Sequence, residues 1–201
     1  PVTSWATLFD EKYSGQILQF DNSRDAVATA LFYLGYPVNT TDKAQLDEAY
    51  QLLVQQKGIL QGYVMDQVFD KLEGGEAAIG VYYAGDALTM MDTNPDLDFC
   101  IPEEGTNFFV DAMCIPKGAA NKANAEAFIN FMCETDIALR NMDVTGYATP
   151  SAEAYNELDE ETKNNPILFP SSDILEKCQT FVNLPAETLE LYNDYWTKLK
   201  S

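Results

Sequence analysis

The chain has 201 residues, 46% of them apolar, and sets 12 basic against 32 acidic side chains for a formal charge of −20, with no histidine. This composition is that of a folded globular chain, argues against nucleic acid as a partner because phosphate backbones are repelled, and leaves no imidazole for Ser-His-Asp, Cys-His or HExxH chemistry. No stretch is long and apolar enough to span a bilayer or has signal-peptide anatomy, and the opening PVTSW, without an initiator Met, reads as a processed product or an excised piece of something longer.

Residues 15–20 read as a short strand closed by Asp21-Asn22-Ser23, a cluster that favours a helix N-cap. Val27, Ala30, Leu31 and Leu34 then recur at helical spacing, which predicts a helix stopping near Gly35. A second helix is predicted over about 42–56, with Leu46, Ala49, Tyr50 and Leu53 on one face. Residues 59–64 read as a strand and 67–72 as a short helix ending at Gly74-Gly75. The continuous run 77–83 is the clearest strand signal, and Ala84-Gly85-Asp86 turns it into another short helix. A further strand is expected at 97–101, followed by the strand-like run GTNFFVDAMCIP (105–116). Helices are predicted over 121–134 and from Thr135 onward, then a break at 146–150. The remainder reads mostly as helix, finishing at 185–200 with a stripe of Leu189, Tyr192, Trp196 and Leu199. Strands alternating with helices predict an α/β sheet flanked by helices. Cys100, Cys114, Cys133 and Cys178 form no CxxC pair, and their apolar surroundings predict four buried free thiols.

One carboxylate stands out. Asp111 sits between Phe108-Phe109-Val110 and Ala112-Met113-Cys114-Ile115, so a strand there would bury it among apolar neighbours. A buried charge without a partner is expensive, and few basic residues are near in sequence. In open α/β sheets ligands gather at the carboxyl ends of strands. Three loops of that kind carry acids beside aromatics: Asn22 to Asp25, Tyr83 to Asp86, and Phe109 to Asp111. Singly, each has an ordinary explanation. Asp25 and Asp86 suit the first turn of a helix through the dipole alone, and Tyr83 and Phe109 suit a core. Together they suit an organic ammonium, whose N–H groups donate to carboxylates and whose methylene chain is covered by aromatic faces. Gly74-Gly75 lacks the GxxxxGK context of a phosphate loop. Three other readings stay open at this stage. Tyr82-Tyr83 suggests a ferric-ion receptor, although adjacent strand residues face opposite sides. Asp86 and Asp111 could pair as acid and base in a hydrolase, or the fragment could be a scaffold whose acids are only solvated.

The stretches SWATLFDEKYSG (4–15), LGY (34–36), YAGDA (83–87), EGTNFFVDAMCIPKGAANK (104–122) and GYATPS (146–151) resemble the polyamine-binding (spermidine/putrescine) solute receptors of bacterial ABC importers. The resemblance runs over essentially the whole chain. It implies a type II periplasmic-binding-protein fold, in which two α/β lobes joined by crossover strands enclose a ligand. No catalysis, metal or cofactor is implied. On this resemblance residues 1–109 with 147–201 form the second lobe. Residues 110–146 form the crossover and return segment of a first lobe whose main body is absent before Pro1. Asp25 then falls at an amine-binding acid, Tyr83 where a tryptophan stacks on the alkyl chain, Phe109 at an aromatic wall, and Asp111 at the acid that grips an ammonium near the hinge. Asp86 matches the acid of putrescine-type receptors, and Gln179 falls near a polar contact of spermidine-type ones. Asn22 replaces an aspartate of spermidine-type receptors, so the ligand is putrescine or spermidine with a lean toward putrescine. The implied partner is the membrane permease of an ABC importer. The implied location is the periplasm or the outer face of the bacterial membrane, free or lipid-anchored.

Overall fold

The computed structural model describes residues 2–201. Three parallel strands, β1 (Ile17–Phe20), β2 (Leu60–Val64) and β3 (Ile79–Gly80), form a sheet in the order β2-β1-β3. Parallel neighbours need long crossovers, and helices supply them. Helices α1 (Ser23–Tyr33) and α2 (Lys43–Lys57) join β1 to β2, and α3 (Gln67–Glu73) joins β2 to β3. After β3 come α4 (Ala84–Thr93), α5 (Lys122–Met132), α6 (Thr135–Thr145), the short α7 (Ala152–Glu157), α8 (Glu160–Lys163) and α9 (Ser172–Leu175), and finally α10 (Ala186–Lys200).

The central strand β1 is buried along its whole length, as a strand covered on both faces must be. On one side α1, α2 and α10 close over it, with Val27, Ala30 and Leu31 packed against Leu46, Ala49 and Leu53 and against Leu184, Tyr192 and Leu199. On the other side Leu18 meets Val64, Val68, Ala87 and Met90, which brings in α3 and α4. The one polar side chain of β1 is partnered in full. Gln19 Nε2 donates to Thr29 Oγ1 at 3.1 Å and to Gln56 Oε1 at 3.3 Å, and Gln19 Oε1 accepts from the Phe20 N–H at 2.9 Å. Gln56 Nε2 in turn donates to the Leu8 carbonyl at 3.0 Å, tying the N-terminal 3-10 turn (Trp5–Phe9) to the sheet.

Four expectations need correction. The run 77–83 forms only two ladder residues, Ile79 and Gly80 against Ile17 and Leu18; one more bond, Val81 N–H to the Leu18 carbonyl at 3.2 Å, ends the contact, because the chain then leaves the edge to enter α4 at Ala84. Residues 97–101 form no strand, and Leu97 and Phe99 instead pad the α3–α4 cluster. The stretch 105–116 has no ladder of its own beyond a parallel bridge between Asn107 and Gln179, and residues 108–114 are exposed. The cysteines are not buried as expected: Cys114 and Cys133 are exposed and Cys100 and Cys178 only half-buried. The last two share a cause. Helix α5 carries no buried residue, and Phe128 and Phe131 on it are 57% and 44% exposed. An apolar pattern marks the face that favours cover; among the described residues no element covers this one.

The Gln19 network yields a stability prediction. Gln56→Leu strips a partner from both the Gln19 amide and the Leu8 carbonyl, so urea denaturation is expected to show a loss of about 1–3 kcal/mol in spite of the added apolar surface.

Candidate functional site

Asn22 caps α1, its Oδ1 accepting from the Arg24 N–H at 3.0 Å and the Asp25 N–H at 3.5 Å. This sets Asp25 in the first turn with its carboxylate on the cleft side, at the end of β1. Tyr83 stands at the N-cap of α4, at the end of the β3 segment, and its hydroxyl donates to Asp25 Oδ2 at 3.4 Å. Asp86 occupies the first turn of α4 and accepts from the Tyr147 hydroxyl at 2.9 Å.

Tyr147 gets there through a close backbone approach. Gly146 ends α6 in the left-handed region at φ 70°, and a Cβ on it would lie 2.5 Å from the Gly85 carbonyl oxygen; a Cβ on Gly85 would lie 2.5 Å from the Tyr147 ring. Glycine at both positions lets the start of α4 and the turn after α6 touch. Residues 107–111 run past in extended form, so Asn107, Phe109 and Asp111 point to one side while Phe108 and Val110 point away, the latter 74% exposed. The rings of Tyr83, Phe109 and Tyr147 then meet edge to face, with centroids 5.5 and 6.0 Å apart.

These residues line an open cleft of about 340 Å³, walled by Asp25, Tyr83, Asn107, Phe109, Asp111, Tyr147 and Phe181. Four of the sequence-derived candidates, Asp25, Tyr83, Phe109 and Asp111, thus converge. Asp86 lies behind Tyr147 rather than on the wall. Asn22 serves α1 as a cap, and Gln179 accepts the Val38 N–H at 3.1 Å while its backbone holds Thr106 and Phe108. The premise that Asp111 is buried among apolar neighbours is wrong: it is exposed at the cleft mouth, because its segment has no sheet on either side. Sequence reasoning missed Tyr147, Asn107 and Phe181. The glycine-aromatic pair after a helix was the available signal for Tyr147; the alternation Asn107, Phe109, Asp111 was the signal for Asn107; Phe181 had none.

None of Asp25, Asp86 and Asp111 forms an ion pair with a lysine or arginine among the described residues. Burial raises the Asp25 carboxyl above its ordinary range, only partly offset by the Tyr83 hydroxyl and the neighbouring Arg24 charge. Burial also raises Asp86, against the opposing Tyr147 bond. The tyrosines respond in kind: burial, then Asp25, pushes Tyr83 up to about 12, and burial with the Asp86 bond pushes Tyr147 up as well. Both remain neutral donors at physiological pH. Tyr82 points elsewhere, with its hydroxyl on Asp66 at 3.0 Å, so the two adjacent tyrosines do not converge on one point. Among the described residues no cluster of three or more Cys, Asp or Glu is placed to hold a metal ion.

Comparison with known proteins gives a consistent answer. The family model for bacterial extracellular solute-binding proteins matches residues 1–170. The spermidine/putrescine-binding periplasmic protein of Escherichia coli K12 is 31% identical over 200 residues, which is 100% of this chain and 57% of that protein. The putrescine-binding periplasmic protein SpuD of Pseudomonas aeruginosa is 28% identical over 212 residues, 58% of its length. Among solved structures, the spermidine/putrescine substrate-binding protein PotD of Streptococcus pneumoniae superposes with a TM-score of 0.88 at 30% identity, covering 100% of this chain and 62% of that one. A putative spermidine/putrescine ABC transporter protein from Listeria monocytogenes gives 0.91 at 34% identity over 98% of this chain. The chain therefore spans a little under two thirds of the length of these relatives.

The raised Asp25 carboxyl carries a stability consequence. A group whose folded pKa exceeds its unfolded one favours folding fully below the unfolded value, and that contribution is lost as pH rises through the folded value. Asp25→Asn is accordingly expected to raise the Tm of the ligand-free protein at neutral pH, with the gain vanishing near about pH 3, where the aspartate is protonated in both states; calorimetry at the two pH values checks this.

Proposed function

This chain belongs to the bacterial extracellular solute-binding protein family, and from that membership we propose that it is the polyamine-capturing part of a receptor that delivers putrescine or spermidine to an ABC importer. The observation that carries the reading is a cleft with an aromatic wall and with acids that have no basic partner in the protein. An ammonium supplies the missing charge, donating to Asp25 at one end and Asp111 at the other. The rings of Tyr83, Phe109 and Tyr147 cover the methylene chain and attract the cation through their faces. Tyr147 also relays to Asp86, which lets that acid add negative potential without touching the ligand. Asn22 and Gln179 contribute by holding backbone. The names of the relatives, which are spermidine/putrescine- and putrescine-binding proteins of the periplasm, support this ligand class and an extracytoplasmic location.

The lobe assignment follows the same logic. Residues 1–109 with 147–201 make up the sheet-bearing lobe, and 110–146 is the crossover and return segment of a first lobe. The outward apolar face of α5 supports that assignment, since a lobe packed there would cover Phe128 and Phe131. Binding itself chemically transforms nothing; the permease of the importer is the partner that receives the ligand.

Two measurements test the proposal by isothermal calorimetry. Asp111→Asn, in a chain that carries both lobes, is expected to weaken putrescine binding by about 2 kcal/mol or more, roughly thirtyfold in Kd; unchanged affinity would remove the acid from the site. Residues 1–201 alone are expected to bind far more weakly than the two-lobed protein, since the cleft here is open on one side.

A further inference from the structure

Arg24 directly precedes Asp25, yet the two form no ion pair. Its guanidinium turns away and lies against two rings, with Cζ 4.6 Å from the centroid of Phe181 and 5.4 Å from that of Tyr192. Nη2 donates to Asn39 Oδ1 at 3.1 Å and Nη1 to the Val182 carbonyl at 3.4 Å. Nε is buried without an acceptor, which is what a guanidinium packed against ring faces leaves behind. Asn39 closes the arrangement. Its Oδ1 also accepts from the Val182 N–H at 3.1 Å, and its Nδ2 donates to the Thr180 carbonyl at 2.7 Å.

This cluster has a definite place in the fold. Phe181 is a wall of the cleft. Two residues earlier the same segment pairs with 106–108, through the Gln179 N–H to the Thr106 carbonyl at 3.0 Å and the Phe108 N–H to the Gln179 carbonyl at 2.9 Å. The segment bearing Asn107, Phe109 and Asp111 thus hangs on residues 179–182, which in turn hang on Arg24 and Asn39.

We propose that Arg24 is a positioning residue for ligand binding. With Asn39 it clamps residues 180–182 so that Phe181 and the paired 106–111 segment form the far wall of the cleft, and the clamp holds the Arg24 charge out of the cleft and off Asp25. The ligand part of this inference rests on the polyamine reading; the clamp itself does not. A through-space role would have the opposite sign, because a cation beside a cation site repels the ligand and its removal tightens binding. Lysine is a poor substitute, since a point charge neither stacks flat on Phe181 nor reaches Asn39 and Val182 together.

The test uses Arg24→Met, Arg24→Lys and Asn39→Ala in the two-lobed chain, with amide hydrogen exchange and with calorimetry using putrescine and spermidine. Exchange at Val182 and over 179–183 is expected to accelerate about tenfold or more in Arg24→Met and Asn39→Ala, less in Arg24→Lys, while α10 amides at 195–199 keep wild-type rates. Kd is expected to rise about three- to tenfold in Arg24→Met in spite of the lost positive charge. Unchanged exchange over 179–183 overturns the clamp, and equal or tighter binding by Arg24→Met overturns the positioning role. If the wild type binds neither polyamine, the functional reading fails while the exchange data still decide the clamp. Should Arg24→Met fail to fold, Asn39→Ala, which keeps the charge, decides both points.

Discussion

Asp25 and Asp86 give up water to the protein, each receives one tyrosine hydroxyl, and neither receives a cation. A neutral donor offsets only part of what a half-buried carboxylate loses on dehydration, so the cleft stays electrostatically incomplete. The rest of the site is arranged around that deficit. Asp111 adds a third negative charge at the mouth, and the net charge of −20 extends the attraction into solvent, which speeds the arrival of a cationic solute. The one nearby arginine is turned away and held by Phe181, Tyr192 and Asn39. An unpaired acid is expensive in a scaffold and useful in a receptor for amines.

The fold supplies that incompleteness with rigidity. Helix α1 is anchored by the Asn22 cap at its start and by the Gln19–Thr29–Gln56 network beneath it, so Asp25 has little freedom to swing toward a basic partner. The Gly85–Gly146 approach does the same for Tyr147 and Asp86, locking two distant parts of the chain at a distance no side chain would permit. The aromatic wall is stiff because each ring meets the next edge to face.

Much of this was legible in order along the chain. Helices α1, α2, α5, α6 and α10 follow from local patterns of apolar residues, and α1 and α2 also from the side-chain caps Asn22 and Asp42, all of which are local properties. The acids at strand ends were legible for the same reason. The strands were less so: ladder length depends on where a chain leaves its partner, and β3 left β1 after two paired residues to enter α4. Asp111 shows the limit well. Its apolar neighbours indicated burial, yet burial requires a second surface, and Phe108, Val110 and Met113 face solvent alongside it. The expected burial of Cys114 and Cys133 fails on the same ground.

From its amino acids alone this chain determined an acidic α/β architecture, the chemistry at the ends of its strands, and its membership of the bacterial extracellular solute-binding protein family, because composition, periodicity and short contiguous stretches are written locally. Which acids share a cleft, which aromatic rings complete the wall, and which way Arg24 points were decided only in three dimensions. Those outcomes depend on contacts between residues 24 and 181, 85 and 146, and 107 and 179, and no local pattern specifies a distance between points that far apart along a chain.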